Sequence, residues 1–349
     1  MREIIEAIDV WRQRGEQIAL ATVVQVAGAA PRGPGAMLVV AQSGAMVGSV
    51  SGGCVEAAVV AACLRALKTG QISRSTFGFS DEQAWEVGLA CGGSIDILIE
   101  PLTAPTSTLL RETVGPLLDQ EREWSLAVVL DGPQAGTRWL ISPAESAPPP
   151  LPTFLADQVL ADSRTLLEHG HSEVRSYPLD KGDTTVFIHT QLPAPHLVIV
   201  GGVHIATALC VCAKQLGWRV TIVDPRSAFA TSERFPLADA RIHAWPDEAL
   251  PTLRLDRRTF VAVLTHDPKL DDPALLVALK HPVGYIGVLG SRATQARRRD
   301  RLRDQGVSDE DLARLHGPIG LPLGGKAPAE IAISILAEMI KVQHTLGAQ

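Results

Sequence analysis

The sequence predicts an α/β protein, with a doubly wound parallel sheet in its C-terminal part and an N-terminal α/β domain that contains a hairpin. Three observations predict this. From His196 onward, short β-branched apolar runs alternate with helical patterns, the rhythm of parallel strands buried on both faces and joined by right-handed crossovers. Upstream, apolar runs are separated by glycine-rich turns. The length of 349 residues exceeds what a single core usually serves. The expected division is an N-terminal domain at 1–105, a small middle segment with a proline-rich loop at 106–195, and the doubly wound domain at 196–349.

MREIIEAIDVWRQRGEQ reads as an amphipathic helix, with Ile4, Ile5, Ile8 and Trp11 on one face and charges opposite. Its pattern differs from the uniform apolar region of a signal peptide, so a cytoplasmic location is expected. A strand is expected from Ile18 to Val26, then the loop AGAAPRGPG. Two apolar runs around Gln42-Ser43-Gly44 read as the hairpin. Ser51-Gly52-Gly53-Cys54 is expected to open a helix that runs to about Lys68 and stops at Gly70. Cys91-Gly92-Gly93 leads into a strand from Ser94 to Glu100.

Pro101 to Thr108 reads as a linker. Beyond it, strands are expected at Trp124 to Leu130, Thr137 to Ser142 and Thr184 to His189, with a helix at Thr153 to His169. The cluster Pro148 to Pro152 sustains neither a helix nor a central strand. This part shows no motif that carries chemistry.

Composition excludes some functions. The net charge of -6 lacks the basic field of a general nucleic-acid binder. The longest apolar stretch, Leu197 to Ala213, contains glycines and His204 and is too short for a membrane span. Five cysteines (Cys54, Cys63, Cys91, Cys210, Cys212) form no metal-binding spacing, and their odd number does not suggest a disulfide framework.

In the C-terminal domain, strands are expected at Leu197 to Val200, Val220 to Val223, Phe260 to Leu264 and Tyr285 to Leu289. The turn after the first compares with the fingerprint GxGxxG of Rossmann-like domains. There the first glycine makes the turn, the second admits a pyrophosphate, and the third lets helix pack on strand. Here those places hold Gly201, Val203 and Ala206, with Gly202 between the first two. Alanine is an accepted third residue, whereas the branched Val203 occupies space a pyrophosphate would need. Asp224 ends the next strand, near the spacing of about 20 residues expected of a ribose partner. The fold expectation therefore stands, while ordinary NAD use is weakened.

Thr265-His266-Asp267 and Gly290-Ser291-Arg292 follow later strands and point to the same edge, where ligands bind in open α/β sheets. They suit a phosphate or a pterin-like heterocycle, with Arg292 offering a fork of donors. His266 reads equally well as a loop or capping residue. Gly324-Gly325-Lys326 precedes a helix with Pro328 and Glu330 in its first turn, either an anion site or a well-capped helix end. Arg297 to Arg299, Arg301 and Arg303 read as a solvated helix face.

A thiol at a helix start gains from the helix dipole and free amides, so Cys54, beside Gly52 and Gly53, is a candidate nucleophile or soft metal ligand. Cys91, beside Gly92 and Gly93, lies where a ligand can approach a strand entrance. Cys63, Cys210 and Cys212, in apolar helical stretches, read as small buried hydrophobes. Arg32, in a rigid turn, is a candidate anion contact.

Together AAPRGPGAMLVV, GSVSGGCVE, ACGGSIDILIEP, HLVIVGGVHIATAL, VDPRSAFATSERFP, VLTHDPKLDD, YIGVLGSR and GPIGLPLGGKAPAEIAISILAEMI resemble the XdhC/CoxI family, the xanthine dehydrogenase accessory proteins. The resemblance spans most of the chain except the middle segment. It implies a cytoplasmic molybdenum cofactor chaperone that protects the cofactor, supports its sulfuration and passes it to an apo-molybdenum hydroxylase. A cysteine desulfurase is a candidate partner and a homo-oligomer is expected.

The cofactor is a molybdopterin, its nucleotide form left open. The resemblance places Cys54 and Cys91 as molybdenum contacts. Gly201 to Ala206 corresponds to the nucleotide-type loop, and Val203 stands where relatives commonly have glycine. Such an accessory protein is more a carrier than an enzyme. Two other readings are an NAD(P)-dependent oxidoreductase, using Gly201, Ala206, Asp224 and His266, and a thiol redox sensor using Cys54 and Cys91.

Overall fold

The computed structural model describes residues 1–53, 55–78, 93–132, 134–143, 149–179 and 182–346. Contacts divide the chain into two units, Met1–Pro193 and Ala194–Gln349.

The first unit holds two antiparallel sheets. Strands β1 (Ile18–Ala27), β2 (Met37–Ala41), β3 (Met46–Gly48), β4 (Ser73–Gly78) and β5 (Ser94–Pro101) form one, in the order β3-β2-β1-β5-β4. β2 and β3 are the expected hairpin. Successive side chains of β1 point to opposite faces. Ala19, Ala21 and Val23 pack with Val59, Cys63 and Ala66 of the helix Glu56–Thr69. Ile18, Leu20 and Val24 pack with Ile4, Ile8 and Trp11 of the helix Arg2–Gln13. Gly70, at φ 70°, ends the helix Glu56–Thr69 as its sequence predicts.

The described residues of 106–195 form helices and a second sheet. The stretch expected to be a linker turns helical at Ala104–Thr108 and continues through a π-helical piece, Leu109–Val114, to Gly115–Asp119. Strands β6 (Trp124–Val129), β7 (Arg138–Ile141), β8 (Glu173–Leu179) and β9 (Gly182–Gln191) form a sheet in the order β7-β6-β9-β8. Leu126, Val128 and Phe187 on one face share the core of Leu20 and Trp11. Ala127, Val129 and Ile188 on the other pack on the helix Thr153–His169. Glu100 of β5 pairs with Arg138 of β7, both buried, so the two sheets are tied by charge as well as by apolar contact.

The second unit is the doubly wound sheet. Strands β10 (His196–Val200), β11 (Arg219–Val223), β12 (Ala240–Ile242), β13 (Thr259–Val263), β14 (Tyr285–Val288) and β15 (Leu315–His316) are all parallel, in the order β12-β11-β10-β13-β14-β15. Counted from β10 this is the order 3-2-1-4-5-6, whose switch point lies between the first and fourth strands. One face packs on the helices His204–Gln215 and Pro328–Leu346 through Leu209, Ala213, Ile335 and Met339. The other packs on Pro268–Leu279 and Arg292–Asp304 through Leu275, Ala278 and Leu302.

Candidate functional site

In the first unit the glycine-rich turns meet at one end of the first sheet. A Cβ on Gly93 would lie 2.3 Å from the Ala29 carbonyl oxygen and 2.9 Å from that of Ala27. Only glycine therefore lets the entrance of β5 close on the start of the AAPRGPG loop. A Cβ on Gly52 would stand 3.7 Å from Pro31 Cβ, so the SGG turn lies against the same loop. Arg32, on that loop, is exposed. Cys54, Cys91 and Gly92 lie outside the described residues.

The residue that organises this end is Glu56, which sequence reasoning missed. Its Oε1 accepts from Ser49 Oγ at 2.7 Å, from the Ser51 amide at 2.9 Å and from the Gly52 amide at 3.0 Å. Its Oε2 accepts from Ser51 Oγ and from the Gly53 amide at 2.8 Å. Burial raises its pKa, but the Ser51 and Ser49 hydroxyls and the Ser51 amide outweigh burial and hold it at about 2. The Gly52 and Gly53 amides, expected to be free, thus serve an internal carboxylate. The helix begins only at Glu56, with Val55 at its N-cap. A glutamate in the first turn behind serines was the signal available.

Behind the loop, Gly35 (φ +90°) leaves room for the buried His189 ring, which a Cβ would meet at 2.3 Å. His189 packs against Trp124 and Phe187. Burial, with a smaller contribution from the N-terminal charge, lowers its pKa to about 4.

In the second unit the switch point brings Gly201 and Thr265 into contact. Gly201 has φ +103°, and its missing Cβ would lie 2.4 Å from Thr265 Cγ2. Gly202 faces the Phe229 carbonyl oxygen, which a Cβ would meet at 2.1 Å. Val203 is the N-cap of His204–Gln215 and packs against the core. The Asp224 carboxylate is buried and accepts from the Gly202 amide at 2.8 Å and from Arg226 Nη2 at 2.7 Å and Nε at 2.9 Å. Burial raises its pKa, and these donors bring it below the ordinary value.

His266, Ser291 and Arg292 stand exposed beyond the ends of β13 and β14. Asp267 and Ser291 are helix N-caps, accepting from the Lys269 and Thr294 amides. Beneath them runs a buried network. Thr265 Oγ1 donates to Asp271, which accepts from Arg298 Nη2 at 2.7 Å, while Gln295 accepts from Arg298 and donates to the Val288 carbonyl. The expectation of a solvated arginine face holds for the exposed Arg297 and Arg303 and is corrected for two others. Arg298 is 1% exposed, and Arg301 grips Asp272 with two bonds at 2.6 and 2.9 Å. Their partners lie on the neighbouring helix and are invisible to a reading of one helix alone.

At the last helix, Glu330 accepts from the Lys326 and Ala327 amides at 2.9 and 3.0 Å, so this helix start is capped from within. Burial pushes the Cys63 and Cys210 thiols up to about 12 and 11, as expected of small buried hydrophobes. Among the described residues no cluster of three or more His, Cys, Asp or Glu is arranged for a metal, and no helix is long and apolar enough to cross a membrane.

Comparison with known proteins matches the XdhC and CoxI family over residues 11–78 and the XdhC Rossmann domain over residues 197–339. A relative from Bacillus subtilis (strain 168), described as a probable subunit of xanthine dehydrogenase, is 27% identical over 342 residues, 97% of each chain. The molybdenum cofactor insertion chaperone PaoD of Escherichia coli (strain K12) is 26% identical over 351 residues, 98% of this chain and 87% of its own. A crystal structure described as a xanthine dehydrogenase from Bacillus halodurans has a TM-score of 0.75 at 24% identity, covering 98% of this chain and 96% of its own. That likeness establishes the shared fold and bears out the expected α/β architecture.

Proposed function

The chain belongs to the XdhC and CoxI family, and from that membership we propose that it is a molybdenum cofactor chaperone, which holds the cofactor as cargo and inserts it into an apo-molybdenum hydroxylase. The observation that carries the reading is the likeness, over 98% of this chain, to a molybdenum cofactor insertion chaperone.

The local chemistry suits such cargo. Arg32 is exposed on the loop that meets the Gly52 and Gly93 turns, where Gly53 and Gly92 complete the two glycine pairs. In this reading Cys54 and Cys91 supply soft contacts to the metal. Within the second unit by itself, the exposed His266, Ser291 and Arg292 are donors of the kind that a phosphate or a pterin accepts. Gly201 and Gly202 shape the edge through their backbone, and Asp224 holds Arg226 beside it. The cargo itself supplies the molybdenum. The chain binds and orients it, shields it from water, and supports its sulfuration with a cysteine desulfurase as the sulfur source. A homo-oligomeric state and a cytoplasmic location belong to the same reading.

The test is delivery. Protein recovered from cells that make molybdenum cofactor, mixed with an apo-molybdenum hydroxylase, is expected to restore hydroxylase activity. Cys54→Ala and Cys91→Ala are each expected to lower the restored activity by about tenfold or more, the loss of one contact near 1.4 kcal/mol. Equal delivery by both variants removes the thiols from the proposal. No delivery by the wild type removes the insertion role.

A further inference from the structure

We propose that Arg226 sets ligand specificity at the switch-point edge of the second unit: it fills, from within the chain, the place where a ribose hydroxyl would meet Asp224, and so excludes adenine nucleotides. The inference rests on this domain's own geometry and is independent of the identity of the cargo.

In a sheet of this order, the acidic residue that ends the second strand accepts hydrogen bonds from a ribose. Asp224 occupies that position, but four donors already use its carboxylate. Oδ1 accepts from the Arg226 amide at 3.0 Å and from Arg226 Nε at 2.9 Å. Oδ2 accepts from the Gly202 amide at 2.8 Å and from Arg226 Nη2 at 2.7 Å. The Asp224 side chain is 0% exposed and that of Arg226 is 43% exposed, so the guanidinium lies between the carboxylate and solvent.

The guanidinium is also held from a second direction, with its carbon 3.8 Å from the centre of the Phe229 ring. Phe229 turns its carbonyl onto Gly202, and Arg234 Nη2 donates to the Gly202 carbonyl at 2.8 Å. One segment, 225–234, therefore closes both the ribose acceptor and the approach to the glycine turn. A nucleotide would have to exchange a two-pronged, charge-assisted contact for neutral hydroxyl donors, which are roughly half as strong. A carboxylate that reads ribose in other folds of this order here anchors an arginine.

The test uses the full chain and titrates NADH and AMP by calorimetry and by NADH fluorescence. The wild type is expected to show no saturable binding of either, while Arg226→Ala gains at least about tenfold in NADH affinity over the wild-type limit. Arg226→Lys, which keeps the charge and loses the fork, is expected to stay near the wild type. Saturable micromolar NADH binding by the wild type overturns the proposal, as does a cooperatively melting Arg226→Ala with no gain. If Arg226→Ala fails to fold, Arg226→Gln, which retains a neutral donor, carries the same expectation, and absence of a gain there overturns the proposal equally.

Discussion

Glu56 places a charge inside a turn of serines and glycines, and that charge makes the turn rigid. Removing it takes an acceptor from the Ser51 amide and hydroxyl and from the Gly53 amide, while the Gly52 amide keeps the Ser49 hydroxyl. Glu56→Ala is expected to lower the unfolding free energy by about 3 kcal/mol in urea titration, in the range for stranding buried donors of a charged group. Acid sensitivity has two sources at this scale. Burial lowers both His189 and His196 to about 4 from an ordinary 6.5, with the N-terminal charge adding to it at His189 and Arg219 at His196. As pH falls below 6.5 the unfolded chain takes up protons that the folded chain refuses. Their contribution is therefore complete above about 6.5 and declines until pH reaches about 4. Glu56, held at about 2 against 4.5, contributes above 4.5, and that contribution is lost as pH falls through 2. Urea midpoints between pH 7 and pH 4 are expected to fall, and His189→Phe is expected to flatten the fall. Asp224 was legible in the sequence because its spacing from the glycine turn is a known distance. Glu56 was passed over because three of its five donors are backbone amides, and the serines ahead of it were read only as part of the glycine turn.

At the scale of elements, the buried Asp271–Arg298 pair joins two helices beneath the strand ends that carry His266 and Ser291. Arg298→Met strands a buried carboxylate and is expected to cost about 3 to 5 kcal/mol, whereas adding Asp271→Leu recovers most of the loss. A double-mutant cycle in urea measures this, and additive losses would contradict it. Central strands were readable because both of their faces are apolar, as in β10 and β13, whose residues are all buried. Some edge strands were not: β4 and β8 show mostly exposed patterns, and β12 and β15 have three and two residues, whereas the edge strands β3 and β7 were read from their apolar runs. The helices from Ala104 to Asp119 escaped notice because prolines at their starts read as linker signals, although proline suits a first helical turn.

At the scale of the molecule, each unit encloses its own cores, which predicts that the fragment Ala194–Gln349 expressed alone melts cooperatively. The doubly wound order was legible from the alternation of strand and helix. The role of residues 106–195 was not, because their sheet finishes a core begun more than a hundred residues earlier by Ile4 and Trp11. The assignment of the chain as a cofactor carrier is tested most directly by the pterin it retains. Protein purified from cells that make molybdenum cofactor, oxidised and read by pterin fluorescence, is expected to yield close to one pterin per chain in the wild type and markedly less in Cys54→Ala. Wild-type protein that carries no pterin, and binds none when purified molybdenum cofactor is added, would contradict the account.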